Sequence, residues 1–154
     1  MRAARGVRRL AVALTVAGAM AGLLGGCSSG ASSGTGDRTL KAWANAASLN
    51  QTSNLITRYL AAISHDRAKG SPGDVKFDCL GLRGQAIQGN AYLPAPDTTL
   101  SRLLAAAYRD YYGFAAACVN AGGASDSDPS TSHLALAGDH ELGAALARYD
   151  TLTQ

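Results

Sequence analysis

Leu100, Leu104, Ala107, Tyr111, Phe114 and Cys118 follow one another at spacings of four, three, four, three and four residues. Side chains at those intervals share one face of an α-helix, so the spacing predicts a helix over about 97–121 with a seam that packs against other helices. The neighbouring sequence agrees with a helical body. From Asp37 to Gln154 there are fifteen leucines and 23 alanines, against three isoleucines and two valines. Leu and Ala favour helix, while the scarce β-branched residues are those that favour strands. No alternating run is bounded by an Asn-Gly or Asp-Gly hairpin turn.

Pro72, Pro94, Pro96 and Pro129 sit where helices should start or stop, and divide this segment into four helical stretches. The first runs from about Asp37 to Arg67, with Leu40, Trp43, Ala47, Ile56, Tyr59, Leu60 and Ile63 inward. Gln51 and Thr52 interrupt that stripe, and a kink or break is expected near Ser48. The second opens at Ser71-Pro72-Gly73-Asp74, where Ser can cap, Pro fits the first helical position and Asp sits in the first turn. It should reach about Asn90, weakened by Gly81, Gly84 and Gly89 at up to about 1 kcal/mol each. The fourth, about Ser130 to Leu152, presents Leu142, Ala145, Leu146, Tyr149 and Leu152 on one face, with Gly138 as a weak point. Short connections make neighbours antiparallel, so the expected fold is all-α, an up-down four-helix bundle over 37–154.

The 154 residues suit one domain, and the formal charge of +3 is misleading. Arg2, Arg5, Arg8 and Arg9 lie in a stretch free of acidic residues. Without them ten of the fourteen basic residues remain against eleven acidic ones, a formal charge of −1. No basic stripe is left for a phosphate backbone, so nucleic acid is not an expected partner. Behind the arginines, Leu10 to Leu24 is apolar or small but shorter than the roughly 20 residues a membrane span needs. Residues 1–26 therefore read as a signal peptide.

At its end, Leu24-Gly25-Gly26-Cys27 resembles the lipobox of bacterial lipoprotein precursors. That resemblance implies cleavage before Cys27, a diacylglycerol thioether on its sulfur, and a chain held by acyl groups at the outer face of the cytoplasmic membrane. Each buried methylene contributes about 0.8 kcal/mol, so several acyl chains make a durable anchor where one does not. Arg8-Arg9 is similar to a twin-arginine export signal without its flanking residues, and the export route stays open. Residues 28–36, all Ser, Gly, Ala or Thr, then read as part of a flexible tether over 27–36 with a span of roughly 15–18 Å.

With Cys27 assigned to lipid, Cys79 and Cys118 are the remaining thiols of a chain exported to an oxidising compartment, and a structural disulfide between the second and third stretches is expected. The two cysteines lie at unequal distances from the intervening connection, so residues 91–96 should be extended rather than a tight turn.

Catalytic signatures are scarce. Glu141 is the one glutamate, which leaves nothing for a carboxylate di-iron bundle. The segment from Asp37 has no methionine, no His-x-x-x-His, no Cys-x-x-Cys-His, no Gly-x-Ser-x-Gly and no Gly-rich phosphate loop. No enzyme and no cofactor beyond the lipid on Cys27 are expected. Two surface features stand out. In an antiparallel bundle His65 and Asp66 would approach His133, Asp126 and Asp128, with His140 one heptad on, a set of donors suited to a divalent ion or a pH-sensitive site. Tyr108, Tyr111 and Tyr112 cannot all face one seam, so Tyr108, Arg109 and Tyr112 would form an aromatic and cationic contact patch.

The stretch Tyr92 to Cys118, with Cys79, resembles a pattern in small exported helical proteins of actinomycetes, and eleven arginines to three lysines fit a GC-rich genome. The combined expectation is a membrane-anchored extracytoplasmic lipoprotein that contacts another envelope protein or a ligand. The alternative is a metal-binding or sensing module using His65 and His133.

Overall fold

A computed structural model describes residues 33–124 and 129–154, and the expected signal peptide, Cys27, Asp126 and Asp128 lie outside the described residues. The described chain is all-helical, with no strand. Its helices are α1 (Ser33–Ala46), α2 (Leu49–Lys69), α3 (Pro72–Ala91), α4 (Thr98–Asn120) and α5 (Pro129–Thr153). Along the chain α2 packs on α3, α3 on α4 and α4 on α5, while α1 lies against α2 and α5.

The first expected stretch is two helices. On a straight helix advancing about 100° per residue, Leu40 and Ile56 would point about 160° apart, yet both are buried. The chain reconciles them by breaking at Ser48, which takes left-handed backbone angles (φ 50°, ψ 41°). After the break Leu49, Thr52, Ser53, Ile56 and Ile63 face inward. Thr52, expected to interrupt the apolar stripe, is thus part of the buried face, and Gln51 is exposed. Helix α1 begins at Ser33, so positions 33–36 of the expected tether are helical; once a nucleus exists, each added residue costs little. Trp43 Nε1 donates to the carbonyl of Tyr92 at 2.9 Å and ties α1 to the connection after α3.

Gly70 ends α2 in left-handed geometry (φ 68°), its N–H bonding to Arg67 O. Pro72 then occupies the start of α3, and Ser71 holds the N-cap position, its carbonyl accepting the Val75 N–H at 3.1 Å, but its side chain makes no cap, contrary to expectation; its ψ of 75° falls short of the extended angle usual there. The cap that forms is on α4. Asp97 accepts the Leu100 N–H at 2.8 Å and pairs with Arg148 of α5 at 2.9 Å. That pairing, then the backbone bond, holds the Asp97 carboxyl below its usual range. Between α3 and α4, residues 92–97 are non-helical and include a cis Leu93–Pro94 bond.

All six residues of the α4 seam are buried. Cys118 bonds Cys79 on α3, with Cα atoms 6.2 Å apart, so the core holds the expected disulfide. Two α3 glycines have packing roles. A Cβ at Gly81 would fall 2.4 Å from the Tyr59 ring, and one at Gly89 would fall 2.4 Å from that of Tyr108. Gly138 of α5, expected as a weak point, likewise seats Tyr111, whose ring lies 2.8 Å from where its Cβ would be. The Tyr111 hydroxyl donates to Asp139 at 2.7 Å. Burial first, and then the Asp139 carboxylate, push that phenol well above its ordinary range.

Candidate functional site

A groove of about 390 Å³ between α3 and α4 is lined by Ala86, Ile87, Asn90, Tyr108, Arg109 and Tyr112. Its floor follows from Gly89: without a side chain there, the Tyr108 ring lies flush against α3 and is only 4% exposed. This corrects the expected patch. Tyr108 is a core side chain that lines the groove, and burial pushes its phenol up to about 12. Arg109 and Tyr112 are the exposed members, Tyr112 at 46%. Arg109 bonds the neighbouring Asp110 at 3.2 Å, so its charge is locally offset and the groove is mainly apolar.

Ile87, 54% exposed, forms the opposite lip and was not singled out from the sequence. It belongs to a wider exposed face. Phe77 is 72% exposed and Leu80 41%, with Gly84 and Ala91 exposed on the same side. Positions 77, 80, 84, 87 and 91 repeat at three, four, three and four, the same signal that marks the α4 seam. On the other side of α3, Val75, Cys79, Leu82, Ala86 and Gly89 are buried. The helix therefore carries two small or apolar seams on opposite faces, and among the described residues only one is covered.

Of the expected histidine-end donors, Asp126 and Asp128 lie outside the described residues. His65, His133 and His140 are each exposed, and among the described residues no three His, Cys, Asp or Glu side chains group as metal ligands. Asp66, expected to turn towards α5, interacts instead with Asp78 of α3. Burial, and then Asp66, raise the Asp78 carboxyl above its ordinary value. Nearby, the Arg67 guanidinium carbon sits 5.5 Å from the centroid of the Phe114 ring, a cation–π contact beneath the end of α2.

Among the described residues, no helix is long and apolar enough to cross a membrane. Comparison with known proteins gives no match to a family model, a curated protein or a solved structure.

Proposed function

We propose that this chain is a lipid-anchored extracytoplasmic lipoprotein with a non-catalytic role, held to the membrane through Cys27 and presenting α3 and its groove with α4 as a contact surface. In this reading α2 to α5 form an up-and-down bundle, and α1 leads from the tether into it. The anchor is supported by the arginine-rich start, the apolar stretch and the Leu24-Gly25-Gly26-Cys27 sequence. The disulfide suits a compartment where thiols oxidise.

The observation that carries the contact role is the exposed face of α3: Phe77, Leu80 and Ile87 beside a groove whose rim is Arg109 and Tyr112. Monomeric proteins rarely leave contiguous apolar patches of more than a few hundred Å² in water, and larger ones mark interaction surfaces. Aromatic and arginine side chains at such a rim are the types that dominate binding energy. The test is mass spectrometry of the membrane-extracted protein together with fractionation. The mature chain should begin at Cys27 and carry acyl mass, and Cys27→Ala should move it to the soluble fraction. An unmodified sulfur on a freely released chain would end the anchoring claim.

A further inference from the structure

The exposed seam of α3 invites the question of what covers it. We propose that the occupant is a second copy of this chain: two α3 helices pack antiparallel about a two-fold axis near residue 82, each Leu80 seated over the partner's Gly84 and each Phe77 against the partner's Ile87. This deepens the contact reading above and rests on it.

Three observations support a self-complementary seam. The first is spacing. Positions 77, 80, 84, 87 and 91 are a three-four repeat of the kind that interlocks helices, and it lies on the side of α3 opposite the buried seam.

The second is size. In the antiparallel register Leu80 sets a knob against the hole at Gly84, and the aromatic Phe77 meets the smaller Ile87. A parallel, in-register pair would instead stack Phe77 on Phe77 and leave a void where Gly84 faced Gly84. Gly84 also lacks an internal reason to be glycine. A Cβ there would meet nothing within 4 Å, whereas Gly81 and Gly89 each seat a tyrosine ring. A mid-helix glycine costs up to about 1 kcal/mol against alanine, and a partner's Leu80 over that position accounts for it.

The third is area. Phe77, Leu80, Ile87 and Tyr112 together expose roughly 400 Å² per copy, so a two-fold pair that covered all of it would bury roughly 800 Å² before the flanking polar residues are counted. A specific interface needs about 1,000 Å² in total, and Asn90 and Arg109, which line the groove beside Ile87, adjoin the seam to complete it. An isologous contact also closes on itself, so it stops at a dimer. Arg83 flanks the seam close to the axis and would stand near its own copy. Salt screens that repulsion, so the association should hold or tighten as ionic strength rises.

The experiment uses the full mature chain in mild detergent. Sedimentation should show a dimer that Leu80→Glu and Ile87→Glu each weaken by roughly tenfold or more, with helical content and the disulfide unchanged because both positions are exposed. In cells, a photo-crosslinking residue in place of Phe77 should form a dimer adduct mapping to the partner's peptide that holds Ile87. A chain that stays monomeric at about 100 μM overturns the proposal, as does an adduct joining position 77 to position 77. An adduct with a different envelope protein and none with itself overturns self-association while leaving the contact reading standing. A monomer with no adduct of either kind overturns both.

Discussion

Helices α3 and α4 carry the same kind of pattern and use it in opposite ways. On α4 the seam from Leu100 to Cys118 is buried from end to end, between α3 on one side and α5 on the other. On α3 the seam from Phe77 to Ala91 faces outward, and the helix joins the core through its other side. A three-four repeat therefore reports that a helix has a face built for packing, and leaves open whether the partner lies in the same chain. The covered seam governs stability, and the uncovered one can change with little effect on the monomer.

The largest test of that contrast is the link between the two helices. The Cys79–Cys118 bond closes a loop of 39 residues. In the chain-entropy model such a loop contributes about 4 kcal/mol by restricting the unfolded chain. The double variant Cys79→Ala/Cys118→Ala should lose that amount in denaturant unfolding, a large part of the 5–15 kcal/mol typical of a domain. An unchanged midpoint would mean that the core carries the stability without the bond.

Next come the leucines. Leu104 is fully buried on α4, and Leu104→Ala should cost about 3 kcal/mol through lost burial and the cavity left behind. Leu80→Ala on the exposed seam should cost well under 1 kcal/mol in the monomer. Equal costs at the two positions would show that the α3 face is covered within the chain after all.

A smaller effect comes from the α4 start. Asp97→Ala removes both the cap on Leu100 and the partner of Arg148, and should cost about 1–2 kcal/mol at neutral pH. The folded-state carboxyl is depressed, so its contribution is present above the unfolded value near 4 and disappears as pH falls through the lower folded one. Unfolding curves of the wild type and Asp97→Ala should therefore converge in acid. A gap that persists at the lowest pH would place the stabilisation elsewhere.

Much of the fold was legible because local chemistry and tertiary packing point the same way on α4 and α5. The α4 seam, the proline start of α3 and the break near Ser48 all follow from spacing and residue type, as the buried Leu100 to Cys118 row and the Ser48 backbone attest. The site was only partly legible. Tyr108 and Tyr112 differ by four positions and are chemically alike, yet one is core and one is rim, because Gly89 on another helix opens space for the first. Nothing local to α4 carries that information. Ile87 escaped notice for a related reason: with apolar residues on both sides of α3, neither face stands out as the inner one. His65 and His133 lie near helix ends and His140 mid-way along α5, and all three are exposed.

The glycines of α3 give the finest version of the comparison. Gly89→Ala would drive a methyl into the Tyr108 ring on a buried face, and the overpacking, about 1–3 kcal/mol, exceeds the gain in helix propensity, so the monomer should lose stability. Gly84→Ala meets open space, so it should raise monomer stability by up to about 1 kcal/mol, seen as a later unfolding midpoint with unchanged denaturant slope. That same methyl would fill the hole into which the partner's Leu80 is proposed to fit. A variant that unfolds later as a monomer yet dimerises less well separates the two seams within a single residue, because folding strengthens while association weakens. If Gly84→Ala strengthened both, the glycine would have no part in the contact, and the register proposed for the two helices would be wrong.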